Sequence, residues 1–369
     1  MGNGRENKRT TLVVHAITKL DLGGAQKIVL QLLIHMKRKG YNVLLICGEG
    51  GELFETFQKN NINMHVIKEL KREINPIYDL LSIIKITKLL RQLKRDNDVI
   101  VHTHTPKAGV IVRFSAYFAG MKKIYHTIHG WGFHKGQNIL SRFVFVLIER
   151  LTANVTKKMI AVSDYVKDIG LKYGIGKRNK YTVIRNGIEL KTKPENSKSL
   201  YNELGIPENK KIILQVSSLK PPKSPIDFLK IAKTLTKRDD LFFIIAGGGE
   251  LKETMQAYIQ TYNLKNVILT GWYDNISSLY GIADICTLTS ISEGMPLAVL
   301  EAISFNVPLV ATNIPPIKEI LPHYKYLCPP HDIKCFAHNI RILLACQDFK
   351  YDKNNFDINE MLHKYHLLY

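Results

Sequence analysis

A chain of 369 residues is too long for one ordinary hydrophobic core and points to two domains, while 45% hydrophobic and 23% charged residues exclude the disordered, collagenous and disulfide-scaffold classes. The net charge of +20 sits almost wholly in the first half: residues 1–190 carry 32 Lys and Arg against 14 Asp and Glu, and the remainder 20 against 18. That half is expected to meet something anionic, a phospholipid surface or a nucleic acid, unless the excess is only solvated lysine.

The opening MGNGRENKRT has no long apolar stretch behind it, so it does not read as a secretory signal, and Glu6 stands where a myristoylation signal wants Ser or Thr. Predicted strands follow at 11–17, 42–47, 63–67, 99–104, 123–128, 158–162 and 182–184, with helices between them such as 25–39 and 80–94. Strands apolar on nearly every residue and separated by helices indicate a parallel sheet covered on both faces. No run reaches the roughly 18 apolar residues of a spanning helix. The nearest, 143–148, is bracketed by Arg142 and by Glu149 and Arg150, so the protein is not expected to be integral. The helix at 80–94 is basic and amphipathic; it reads as a surface helix packed on the sheet or, with 143–150, as a face resting on an anionic leaflet.

A polar stretch at 191–198 reads as a linker, after which the pattern restarts. Strands are predicted at 211–216, 241–246, 266–270, 285–288 and 308–311, with helices at 227–236, 251–261 and 296–305. The expected fold is α/β: two doubly wound Rossmann-like domains, 1–190 and 191–350, facing across a cleft, then a terminal helix within 351–369 whose docking is open. Cys47, Cys286, Cys328, Cys335 and Cys346 form no CxxC pair and read as reduced packing residues of a cytosolic protein.

In such sheets ligands gather at the carboxyl ends of the strands. There, Ser292–Glu301 holds the strongest constellation. Pro296 suits a first helical position, and the N–H groups of Gly294, Met295 and Leu297 with the helix dipole make an anion site fit for a diphosphate. Glu293 precedes the helix; Glu301 lies in its apolar part, where a carboxylate needs a donor such as a sugar hydroxyl, a core Arg or a backbone group. Gly23 and Gly24 follow the first strand and allow close approach of a phosphate, but they are not GxGxxG, which counts against a dehydrogenase. Gly247–Gly249 ends another strand as a turn or a nucleotide neighbour, and Trp272 and Tyr273 read as core aromatics or as neighbours of a base. His129 ends a strand beside Gly130, with Trp131 and Phe133 offering apolar faces; His102, His104 and Lys107 occupy another strand end. Asp96-Asn-Asp98 spells the Asp-x-Asp of metal-dependent glycosyltransferases but precedes a strand, so it reads as solvated. With no other hard-cation cluster, no metal site is expected.

The Glu-x7-Glu of Glu293 and Glu301, with Gly294 and Pro296 in place, resembles the signature of retaining GT-B-type glycosyltransferases of family 4. Gly23-Gly24-Ala25-Gln26, His129-Gly130, residues 160–163, 183–187, 216–223 and 247–249, and Ala283-Asp284 follow that family in order. His102–Gly109 resembles its capsule, exopolysaccharide and O-antigen subgroup. The resemblance implies that Glu301 holds the ribose of a nucleotide sugar, that Glu293 contacts the transferred sugar, and that the amides of 294–297 meet the diphosphate or sugar. It makes Lys223 the phosphate-binding lysine and places His129 beside the reacting centre. Ser218 stands where many members have Arg, and Lys220 is the expected substitute.

The expected function is metal-independent transfer of a hexose from a nucleotide sugar to a saccharide, on a polyprenyl diphosphate carrier, in surface polysaccharide synthesis. Catalytic roles fall to Glu293 and His129, and donor binding to Gly23, Gly24, Lys223, Gly294, Met295, Pro296, Leu297 and Glu301. Acceptor binding falls to His104, Lys107, Trp131 and Phe133. No cofactor beyond the donor, no nucleic-acid partner, and a cytoplasmic location at the inner membrane face are expected. Two rivals stay open: a GT-B-type sugar-nucleotide epimerase, and a basic nucleic-acid- or membrane-binding protein without catalysis.

Overall fold

Val- and Ile-rich runs can be buried only if their backbone groups pair. In a computed structural model, which describes residues 10–133, 137–189, 198–346, 349–351 and 356–369, they pair as parallel strands of two sheets. The expectations for the N-terminal nine residues and for the linker at 191–197 fall outside the described residues. Two compact units result, Met1–Asn186 with Asn359–Tyr369, and Gly187–Ile358.

The first unit runs β1 (Thr10–Ile17), α1 (Gly24–Arg38), β2 (Asn42–Cys47), α2 (Phe54–Lys59), β3 (Met64–Val66), α3 (Pro76–Asp96), β4 (Asn97–Thr103), α4 (Pro106–Phe118), β5 (Ile124–Ile128), α5 (Ile139–Val155), β6 (Lys158–Ala161), α6 (Asp164–Lys172) and β7 (Tyr181–Val183). Its sheet order is β3-β2-β1-β4-β5-β6-β7. Successive strand residues point to opposite faces. Leu12, Val14 and Ala16 of β1 join Val99 and Val101 of β4 in a core closed by α3 and α4. On the other face, β1 and β4 set His15 beside His102, and β4 and β5 set His102 beside Tyr125.

The second unit runs α7 (Lys198–Glu203), β8 (Lys211–Val216), α8 (Pro225–Thr234), β9 (Leu241–Ala246), α9 (Lys252–Thr261), β10 (Val267–Gly271), α10 (Ile276–Ile282), β11 (Ile285–Leu288), α11 (Leu297–Ser304), β12 (Leu309–Thr312), α12 (Pro315–Ile320), β13 (Leu327–Cys328) and α13 (Ile333–Leu344). Its order, β10-β9-β8-β11-β12-β13, repeats the logic of the first sheet, and Phe228, Phe243 and Phe336 anchor one side of its core. The closing helix α14 (Ile358–His366) and the residues after it lie with the first unit from Asn359 on.

Several expectations change. Residues 143–148 are the middle of α5, and Glu149, one of the charges bracketing that run, is buried, paired with the fully buried Arg113 of α4 at 2.7 Å. Burial of either charge demands the other. Asp96-Asn-Asp98 does not simply precede a strand: α3 ends at Asp96 and passes directly into β4, which holds Asn97 and Asp98, and Asp98 pairs with Lys123 at 2.6 Å. Cys328 and Cys335 are not reduced; the turn between β13 and α13 folds back until their Cα atoms are 5.7 Å apart and their sulfurs are bonded. Cys47 and Cys286 are buried and free, while Cys346 is exposed.

Candidate functional site

In both sheets the strand order reverses at one point, between β1 and β4 and between β8 and β11, and such switch points open crevices at the strands' carboxyl ends. At the second, Gln215 of β8 is fully buried: its amide nitrogen donates to Thr289 Oγ1 (3.0 Å), and its oxygen accepts from Thr287 (3.1 Å). Thr289 in turn donates to the Ser224 carbonyl (3.0 Å), and the amides of Ile291 and Ser292 donate to Pro222 O (2.9 and 3.3 Å). These bonds dock the short turn Pro221–Lys223 on the end of β11. Lys223 Nζ consequently reaches Glu293 Oε2 at 2.6 Å, joining two predicted site residues seventy positions apart. The Glu293 side chain is only 9% exposed, so its charge is held by that lysine.

Pro296 does not take the first helical position. It is the N-cap of α11 with an extended ψ of 120°, so the helix and its free amides begin at Leu297. Gly294 and Met295 lead into it and are buried. Glu301, one turn in and half-buried, accepts from the Tyr280 hydroxyl at 3.0 Å, a donor the sequence reading missed. Burial holds the Tyr280 pKa well above the usual tyrosine value, and its ring stacks on Phe305 at 5.3 Å. Ser290, fully buried at the end of β11, has a hydroxyl with no hydrogen-bond partner among the described residues. A ligand group would satisfy it.

The Gly247–Gly249 loop is glycine for a steric reason. Gly247 (φ 149°) and Gly249 (φ 156°) lie in the region L side chains avoid, and a Cβ on either would strike the carbonyl oxygens of Ser217 or Leu219. Trp272 lies against Gly248, its indole 2.6 Å from where a Cβ would stand, and Tyr273 donates to Glu203 at 2.8 Å.

The first switch point is built of neutral groups. His15, His102 and His104 are fully buried on one sheet face, and α14 with the residue Tyr369 covers them. His15 Nδ1 lies 2.9 Å from His104 Nε2, His104 Nδ1 lies 3.1 Å from His129 Nε2, and His15 Nε2 lies 3.3 Å from the Tyr369 hydroxyl. That hydroxyl also bonds His102 Nδ1, while His102 Nε2 meets Thr127 Oγ1 at 2.8 Å. Burial pushes His15 down to about 3 and His129 down to about 4. It also holds His102, His104 and His126 well below the usual histidine value, with neighbouring imidazoles adding to the effect on His102 and His104. One nitrogen each of His15, His102 and His104 lies within 4.8 Å of the others, a spacing that could hold a metal, yet all six ring nitrogens already have hydrogen-bond partners.

All four residues expected at the acceptor have partners within the fold. His104 is sealed in this network and cannot meet a substrate directly. Lys107 is committed to Asp79 at 2.6 Å and to the Glu73 carbonyl at 2.8 Å. Phe133 is buried, packed against Trp131 and Tyr173, and Trp131 donates to Val166 O at 2.9 Å, which pins its ring to α6. Lys107 and Phe133 line a cavity of about 420 Å³ with Val110, Ile111 and Phe145. Gly23 is the N-cap of α1 with φ −141°, and Gly24 is its first residue. Of the residues missed, His15 and Gln215 each carried a signal, a lone polar side chain in an apolar strand; Tyr369 carried none.

Residues 22–192 match the family described as Glycosyltransferase Family 4, and residues 196–358 the one described as Glycosyl transferases group 1. Over 299 residues, 79% of this chain and 76% of the relative, the chain is 33% identical to an Escherichia coli protein named UDP-Gal:alpha-D-GlcNAc-diphosphoundecaprenol alpha-1,3-galactosyltransferase. It is 24% identical over 285 residues, 75% of itself and 73% of the relative, to the capsular polysaccharide biosynthesis glycosyltransferase CapM of Staphylococcus aureus. Its fold matches that of Anabaena HepE, solved in complex with UDP and glucose, with a TM-score of 0.80 at 17% identity, covering 96% of this chain and 98% of that one.

Proposed function

Since the chain belongs to family 4 of the GT-B-type glycosyltransferases, we propose that it moves a hexose, with retention of configuration, from a uridine diphosphate sugar to a saccharide carried on a polyprenyl diphosphate. The reading rests chiefly on the Lys223–Glu293 pair beside the start of α11, with Glu301 one turn into that helix. Departure of a nucleoside diphosphate concentrates negative charge on phosphate oxygens. A lysine ammonium and the amides from Leu297 onward are donors fixed in advance for that charge. Glu301 takes the ribose hydroxyls, and Glu293, held by Lys223, takes those of the transferred sugar. The N–H groups of Gly294, Met295 and Leu297 meet the diphosphate, with Pro296, which has no N–H, shaping the turn between them. With this much positive potential from the protein, the reaction proceeds without a metal or other cofactor. In the first unit, Gly23 and Gly24 provide amides for a phosphate, and His129 contacts sugar hydroxyls.

The acceptor half of the reading draws on the relatives' names and on the first unit's surface. Ile139, Leu140, Phe143, Val144, Leu147 and Leu151 are all exposed on α5, as are Ile77, Leu80, Leu81 and Ile84 on α3. Among the described residues no helix is long and apolar enough to cross a membrane. These faces, with the basic charge of residues 1–190, suit shallow seating on the cytoplasmic leaflet, where each cation near anionic lipid contributes about 1 kcal/mol. The cavity beside Phe133 takes an apolar part of the acceptor.

A thermal-shift screen of nucleoside diphosphates and their sugars, repeated on Glu301→Ala, tests the donor site. One nucleotide should stabilise the wild type and much less the variant; equal stabilisation removes Glu301 from the ribose. Incubating the preferred donor with a prenyl-diphosphate saccharide should yield extended product, whereas free epimerised nucleotide sugar without acceptor would establish the epimerase instead. Salt-sensitive binding to nucleic acid but not to anionic vesicles would overturn the membrane assignment.

A further inference from the structure

Six consecutive hydrogen bonds connect seven groups in the first unit, from Tyr365 through Thr127, His102, Tyr369, His15 and His104 to His129. Apart from the half-buried His129 and Tyr369, every group is buried, and each ring nitrogen or hydroxyl named has its partner within the chain. A neutral imidazole carries one N–H and a hydroxyl one O–H. The hydrogens must therefore run in one direction along the chain. A reversal is possible only at a hydroxyl that accepts from both sides, and it would leave that hydroxyl's own O–H without an acceptor.

The two directions are not equivalent, because Tyr365 sits at the buried end. Its hydroxyl, fully enclosed, meets Thr127 Oγ1 at 3.1 Å, its hydrogen-bond partner among the described residues. If the hydrogens run toward Tyr365, its own O–H has no acceptor. If they run away from it, Tyr365 donates to Thr127, Thr127 to His102 Nε2, His102 Nδ1–H to Tyr369, and Tyr369 to His15 Nε2. His15 Nδ1–H then donates to His104 Nε2, and His104 Nδ1–H to His129 Nε2. Every buried donor is used, as buried polar groups require.

We propose that Tyr365, Tyr369, His15 and His104 are positioning residues that lock His129 as its Nδ1–H tautomer, so that it presents a hydrogen-bond donor, and not a lone pair, to the substrate. The acceptor it meets is then an oxygen, a sugar hydroxyl or a phosphate oxygen; this last step rests on the transferase reading, while the tautomer does not. The low basicity that burial imposes on these imidazoles keeps the relay neutral near pH 7. The same bonds argue against a metal here, since ligation by any of the three buried imidazoles would break a link of the chain.

Two-bond proton–nitrogen NMR of the full chain with ¹⁵N-histidine, with His129 assigned by its loss in His129→Gln, tests the tautomer directly. His129 should show a protonated Nδ1 and an unprotonated Nε2, unchanged between about pH 6 and 8. An Nε2–H form or an averaged mixture in the wild type would overturn the proposal. In Tyr365→Phe the directing hydroxyl is gone, so His129 should become a mixture, and in Tyr369→Phe the chain is cut. Each variant should lose about tenfold in kcat, the scale of a lost orienting partner, with KM for the donor nearly unchanged. An unaltered His129 spectrum in both variants, or zinc bound at one equivalent and lost in His104→Gln, would also refute it. Should the variants not fold, the wild-type spectrum alone decides. Absence of any transferase activity would sink the functional reading and leave this spectrum as it is.

Discussion

The two switch points share a topology and differ in their electrostatics. Between β1 and β4 the polar groups are neutral: buried imidazoles, a threonine and tyrosines bonded in series. Between β8 and β11 they are charged, Lys223 against Glu293, with Gln215 and Thr289 beneath. A neutral network in a dry site discriminates by the direction of its hydrogens, which burial protects from protonation. An ion pair discriminates by charge and can exchange one partner for a ligand's phosphate. Similar strand order thus supports one lobe whose switch point is lined by neutral hydrogen-bonding groups and one whose switch point carries an ion pair.

Acid is the strongest way to break that contrast. An unfolded histidine takes up a proton near 6.5, whereas folded His15 does so only near 3, and His102, His104 and His126 are likewise depressed. Below pH 6.5 the unfolded state therefore binds more protons, so stability is complete above 6.5 and falls as pH drops toward 3, by up to about 1.4 kcal/mol per pH unit for each such histidine. Hydrogen exchange should show β1, β4 and β5 losing protection before β8 and β11; simultaneous loss, or the reverse order, would remove the distinction.

Glu293→Gln keeps the shape of the side chain and removes its charge from Lys223. Transfer should fall by about 10²–10³-fold with the fold intact by circular dichroism, the scale of losing one preorganised electrostatic contact. Full activity would place Glu293 outside the reaction. Gly247→Ala should destabilise the second unit by roughly 1–3 kcal/mol, because its Cβ meets the Ser217 carbonyl at a φ of 149°. An unchanged melting temperature would show that the 217–219 loop yields. The smallest effect concerns the surface: Phe143→Ser should weaken sedimentation with anionic vesicles by about 1–2 kcal/mol, without touching donor binding in solution. Equal vesicle binding would leave α5 without a membrane role.

Much of the fold was legible because period and composition are local. The strands at 42–47, 211–216, 241–246 and 285–288 coincide with β2, β8, β9 and β11. Pro296 was misplaced by one residue because its fixed φ serves an N-cap as well as a first turn, and ψ is set by what the chain must reach next. Lys107, Trp131 and Phe133 looked like free site residues because their occupants, Asp79, Val166 and Tyr173, lie on other elements. Cys328 and Cys335 were read as unpaired because their bond depends on a turn geometry that spacing alone does not specify.

Residue order alone was enough to establish parallel sheets, two units and the glutamate-bearing helix start, since each depends on neighbours a few positions away. Pairings across long separations were decided only by the folded chain: Lys223 with Glu293, Tyr280 with Glu301, and above all His15 with Tyr369. A hydrogen bond requires two groups within about 3 Å. A chain can bring distant residues that close only through the packing of sheets and helices between them.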